Sequence, residues 1–116
     1  MCIRDRFPEP RGRTQTPPMF AGTLTIDLLL GDVHSLKGKR SVVRPLVAEL
    51  RRAFDVAAAE TGHLDLHRRA EVAVAVVALD AARCTDVLDR CERAVAGHPE
   101  FQILSTRRQL LSSDDD

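Results

Sequence analysis

The side chains in this sequence that could do chemistry are three cysteines, four histidines and a dense run of lysines and arginines. Cys84 and Cys91 stand seven residues apart within a segment of helical periodicity, which places them two turns or roughly 10 Å apart along a helix axis. A disulfide joins Cα atoms no more than about 7 Å apart, and the spacing is not that of a Cys-x-x-Cys metal or redox pair. Both are expected to be inert core residues. His63 and His67 flank Asp65 at a four-residue spacing, which on a helix could grip a metal ion. No glutamate follows the first histidine, however, and no third ligand lies near in sequence. The segment reads as a surface loop, and His34 and His98 read as residues beside helix ends. Gly31, Gly38 and Gly62 form no phosphate-binding loop, and no nucleophile elbow or serine–histidine–acid set is present. An enzyme built on Asp32, His34, His63, Asp65 or His67 would have no diagnostic spacing. The expectation is a non-enzymatic protein with no metal and no cofactor.

The basic run is more informative. Lys37, Lys39, Arg40, Arg44, Arg51 and Arg52 fall between Ser35 and Phe54, where Glu49 is the sole acid. At about 100° per residue, Lys37, Arg40, Arg44 and Arg51 share a sector of about 60° beside an apolar stripe. Such a ridge suits phosphate oxygens; the plainer alternative is an ordinary solvated helix face. Tyrosine and tryptophan are absent, which excludes base stacking on an aromatic-studded sheet. Phe54 and Phe101 fall on the core-directed alternation.

The elements that must position these residues follow from periodicity. Leu24, Ile26, Leu28 and Leu30 alternate with polar residues, as in a half-buried strand ending at Gly31-Asp32. Ser35 is a candidate N-cap. Leu36, Val43, Leu46, Val47, Leu50 and Phe54 then recur at helical spacing, interrupted by Pro45, where a kink or a break is expected. Phe54, Val56 and Ala58 read as a second strand, and Val72, Val74 and Val76 as a third. The apolar second face of that third strand marks it as central. Asp80 can cap a second helix carrying Cys84, Val87, Leu88, Cys91 and Val95, stopped by Gly97 and Pro99. A fourth strand opens at Phe101 and Ile103 and is expected to reach Leu110. The order β-α-β-β-α-β predicts an α+β, ferredoxin-like sandwich, with two helices on one face of a four-stranded antiparallel sheet.

The 116 residues suit one small domain, with 44% hydrophobic and only 3% aromatic residues. No apolar run of about 20 residues is present, so no spanning helix is expected. The 17 basic and 17 acidic residues cancel, so no global field advertises nucleic acid or membrane, and neither a membrane nor DNA is expected as partner. Three cysteines without a secretory h-region predict a reduced, cytoplasmic protein. Residues 1–18, rich in proline and arginine and lacking periodicity, are expected to be a disordered extension. Within it, Met1-Cys2-Ile3-Arg4-Asp5-Arg6 resembles the translated end of a sequencing-library adapter, which makes Met19 the candidate natural start. Without that extension the balance is 13 basic and 15 acidic residues, so nucleic-acid binding would rest on a local patch. Residues 112–116 read as an acidic tail.

Met19-Phe20-Ala21-Gly22, the string from His34-Ser35-Leu36-Lys37-Gly38-Lys39-Arg40 to Arg44, Phe54-Asp55-Val56, Asp65 to Ala70, and Ala75-Val76-Val77 together resemble the bacterial YlxP-like family, domain of unknown function 503. The resemblance spans essentially residues 19–111. Gly38 stands where glutamate is usual and His67 where tryptophan is common. The resemblance implies a ferredoxin-like fold and leaves the activity unestablished. Its gene neighbourhoods, beside ribosome-binding factor A and translation initiation, imply a role in ribosome assembly or translation, with ribosomal RNA or the small ribosomal subunit as partner. Lys37, Lys39, Arg40 and Arg44 are the implied contacts, with Arg68 and Arg69 as a second one. The rival expectation is an interaction module or homodimer that pairs through the open sheet face, where Thr23, Thr25, Ala57, Ala73 and Ala75 are small and uncharged.

Overall fold

The structure, a computed structural model, describes residues 18–113. Strand β1 (Phe20–Leu30) buries every second residue, and Leu24, Ile26, Leu28 and Leu30 are completely enclosed. Helix α1 (Leu36–Phe54) begins where the Ser35 hydroxyl accepts from the Gly38 amide at 3.0 Å, satisfying one of the amides a helix start leaves unpaired. It buries Val43, Leu46, Val47 and Leu50, while Leu36, expected on the same stripe, is exposed. The expected break at Pro45 does not occur: α1 runs through the proline. Proline cannot donate to the carbonyl four residues back, but that residue, Ser41, and Pro45 both lie on the exposed side. Apolar contacts before and after Pro45 hold the two halves on the sheet.

The second strand also begins later than its alternation implied. Phe54 belongs to the last turn of α1, and Asp55 closes the helix in the left-handed conformation at φ 55°, donating its amide to Arg51 O. Aspartate tolerates that conformation better than most residues. Strand β2 (Ala57–Gly62) follows, with Val56 and Ala58 on the core side. Strand β3 (Arg69–Ala78) is central, as its composition required, yet only its Ala70, Val72 and Val74 side is buried. Helix α2 (Ala81–Ala96) is capped by Asp80, whose Oδ1 accepts from the Arg83 amide at 2.7 Å, and it buries Cys84, Leu88, Cys91 and Val95. Strand β4 (Phe101–Ser112) outruns Leu110 and takes in Ser112, the first residue of the expected tail. Ser113 extends the pairing through its amide to Met19 O. Residues 1–17 and 114–116, which hold all of the expected extension but Pro18 and most of the tail, lie outside the described residues.

The sheet order is β2-β3-β1-β4, every neighbour antiparallel, and both helices pack on the face carrying Leu24, Ile26, Val72 and Val74. This is the ferredoxin-like α+β sandwich. Gly22 lets α2 approach β1 closely, since a Cβ there would lie 3.1 Å from Leu88 Cδ1. No helix among the described residues is long and apolar enough to cross a membrane.

Candidate phosphate-binding face of helix α1

Because the apolar stripe fixes α1 on the sheet, the flank of the helix beside that stripe must face solvent. Lys37, Arg40 and Arg44 lie there, lining an open depression of about 490 Å³ with Ser41 and Pro45. Among the described residues none of the three has an acidic partner, and Arg52, further along the exposed side, has none either. Glu49, the one acid of the helix, is engaged by His98 Nε2 at 3.0 Å. The first turn of α1 contains no acid, although the partial positive charge of a helix N-terminus favours one. Cations at i, i+3 and i+7 also repel one another at about 0.2–0.5 kcal/mol per adjacent pair. The arrangement therefore costs helix stability and concentrates positive potential.

The other four basic candidates are placed differently. Lys39 is 2% exposed; its ammonium donates to His63 O at 2.6 Å and Leu66 O at 2.8 Å and pairs with Glu60 Oε2 at 2.8 Å. It is a structural tie between α1 and the β2–β3 loop, not a surface contact. Its position four residues before Val43 was the available signal, since that spacing puts it on the buried stripe. Arg51 sits on the ridge sector, but its Nε and Nη2 both donate to Ala58 O, at 3.0 and 2.7 Å. It clamps the outer edge of β2 and lines a second depression of about 430 Å³ with Val43, Arg44, Val47, Ala59 and Glu60. Arg68 donates through Nε to Leu30 O at 3.0 Å. Arg69 pairs with Leu29 in the register and so lies on the sheet face away from α1. The ridge thus reduces to Lys37, Arg40 and Arg44, flanked by Arg51 and Arg52.

Arg69 belongs to a cluster that spacing could not reveal. Its Nη2 donates to Asp27 Oδ2 at 2.7 Å, while His63 Nε2 approaches Asp27 Oδ1 at 3.2 Å. The Arg69 guanidinium holds the Asp27 carboxyl below the usual carboxylate range, and His63 adds to the effect. An acid depressed in the folded state stabilises above its unfolded pKa, near 3.9, and loses that contribution as pH falls. Asp27→Asn is accordingly expected to melt below the parent at pH 6, with the gap closing toward pH 3, measured by thermal unfolding across that range. His63 and His67 do not converge on a metal, and among the described residues no group of three or more histidine, cysteine or acidic side chains could hold one. Cys84 and Cys91 are fully buried and free; burial pushes the Cys91 thiol up to about 11, which suppresses thiolate chemistry. Arg108 ties edge strand β4 to α2 through Glu92 and Asp89, at 2.8 and 2.9 Å, and these acids raise its pKa.

The fold and this distribution of charge can now be set beside known sequences. The profile of the family described as "Protein of unknown function (DUF503)" matches residues 21–108, which takes in β1, both helices, and β4 as far as Arg108. The chain belongs to the DUF503 family. Over 88 residues it is 25% identical to the uncharacterized protein YlxP of Bacillus subtilis (strain 168), covering 76% of this chain and 96% of that protein. The matched region of this DUF503 chain contains Lys37, Arg40 and Arg44 together with Lys39 and its partner Glu60.

Proposed function

We propose that this protein is a non-enzymatic, cytoplasmic RNA-binding accessory factor of bacterial ribosome assembly or translation. It docks on the phosphate backbone of ribosomal RNA, in the small subunit, through Lys37, Arg40 and Arg44, and needs no cofactor. The observation that carries this reading is the row of three exposed cations, without acidic partners among the described residues, on one side of α1. Most other candidate cations are consumed by the fold, whereas these three cost helix stability and make no offsetting ion pair among the described residues. From Lys37 to Arg44 the helix rises about 10 Å, which spans roughly three successive phosphates of one strand. The flanking Arg51 holds the β2 edge and keeps part of its charge available.

Binding of this kind is salt-dependent, because each phosphate contact releases condensed counterion. Titrating the protein against small-subunit ribosomal RNA at stepped salt should give a log–log slope of about −2 to −3, from roughly 0.7–0.9 per contact. Lys37→Ala or Arg44→Ala should each make that slope shallower by about one contact and weaken binding evenly across RNA sequences. Salt-independent binding, or single neutralisations that change neither slope nor affinity, would refute the assignment.

A further inference from the structure

The face of the sheet that neither helix covers carries a concentration of exposed apolar side chains at one end. Val77 and Leu111 flank Ala21 in the register and are 64% and 56% exposed. Met19 and Leu79, at 50% and 76% exposed, continue the same alternation past the paired residues. The next two rows across the sheet are Ala57–Ala75–Thr23–Gln109 and Ala59–Ala73–Thr25–Arg107, small and flat except at the β4 edge. The row beyond holds Glu71 and Asp27, and both are already engaged: Thr61 donates to Glu71 at 2.8 Å, and Asp27 is held by Arg69 and His63. Isolated exposed apolar residues need no explanation, but a contiguous patch on an uncovered sheet does.

We propose that this face is the interface of a homodimer, in which two copies pack sheet against sheet about a two-fold axis parallel to the strands. Three considerations select a second copy as the occupant. Area is the first. Three strands of ten or more residues and the six-residue β2, spaced about 4.8 Å apart and rising about 3.3 Å per residue, give a footprint near 600 Å² per copy, or about 1,200 Å² in total. That reaches the range of specific interfaces without help from the helices. Shape is the second. A flat field of alanine and threonine with an apolar end accepts a surface of the same kind, and the parallel axis lays the Val77–Leu111 end of one copy on that of the other. Charge is the third. The same axis carries β4 over β2 of the second copy, bringing Arg107, which has no partner among the described residues, over Ala59 and within reach of Glu71 one row further along. A nucleic acid would find no comparable match, since Arg107 is the one cation of these rows and the flanking Arg69 is held by Asp27. Both α1 ridges would then lie on opposite outer surfaces of a four-layer particle.

Sedimentation velocity on the full chain, from about 1 to about 500 μM, tests this. The parent is expected to show a concentration-dependent monomer–dimer equilibrium. Val77→Asp with Leu111→Asp, at positions already open to water, should be monomeric throughout with an unchanged far-UV spectrum. Arg107→Glu should raise the dimer dissociation constant about 25-fold, roughly fivefold for each of the two symmetry-related ion pairs it removes. Adding Glu71→Arg should restore it, a rescue that mere loss of packing would not give. A parent that stays monomeric at 500 μM, whatever covers the patch, overturns the proposal. So does a dimer indifferent to the aspartates, or a charge exchange that fails to rescue.

Discussion

Lys39→Ala is expected to lower the unfolding free energy by about 3–5 kcal/mol, the cost of stranding the partner of a buried ion pair. The ammonium donates to two carbonyls, those of His63 and Leu66, and pairs as an ion with Glu60 Oε2. Removing it leaves a largely buried carboxylate without a counter-charge and frees the β2–β3 loop from α1. For a domain of this size each kcal/mol shifts Tm by roughly 4–8 °C, so the variant should melt far below the parent or fail to accumulate. The pair exists because of its neighbours rather than as net stabilisation, since well-packed apolar replacements of buried ion pairs are often neutral. Lys39→Met combined with Glu60→Leu is therefore expected to recover most of the loss, with a residual cost of about 1–2 kcal/mol from the carbonyls left short of a donor. Thermal and urea unfolding of the single and double variants separates the two effects. A single variant as stable as the parent would show that the ammonium does not organise the loop.

Lys39 also shows where the sequence could be read and where it could not. The element order, the two caps at Ser35 and Asp80, and nearly the whole core followed from periodicity, because period 2 and period 3.6 leave different marks on a chain. The same geometry puts Lys37, Arg40, Arg44 and Arg51 in one sector, of which Arg51 is turned to the β2 backbone. Helix angles keep Lys39 off that ridge, and only the family resemblance implies it as a contact; its burial agrees with the angles. The boundary errors have local causes. At Phe54 the last helical turn and the first strand residues share an alternation, and only the left-handed Asp55 cap separates them. At Pro45 the proline lies on the side where a missing hydrogen bond is exposed to water. Arg51, Arg68 and Arg69 could not have been sorted in advance, because their partners are the backbone oxygens of Ala58 and Leu30 and the carboxylate of Asp27, 7, 38 and 42 residues away. An arginine's partner is set by tertiary packing, and spacing carries no record of it.

The combined reversal Lys37→Glu, Arg40→Glu, Arg44→Glu should separate function from stability in the opposite sense to Lys39→Ala. Each change removes one phosphate contact and substitutes a repulsion; at about 1 kcal/mol or more per site the three together should weaken binding to ribosomal RNA by at least about a hundredfold at low salt. Stability should hold or rise, because Lys37→Glu exchanges a cation for an anion in the first turn of α1, worth about 0.3–1 kcal/mol with the helix dipole. All three side chains are exposed and unpaired among the described residues, so no buried partner is stranded. Cosedimentation with small ribosomal subunits at low and moderate salt, run beside a melting curve, reads both quantities. A variant that melts at or above the parent and no longer sediments with subunits is the signature of a helix face maintained for its ligand at the expense of the fold. A variant that still binds would move the search to protein partners, and one that melts early would show that the ridge serves the fold after all.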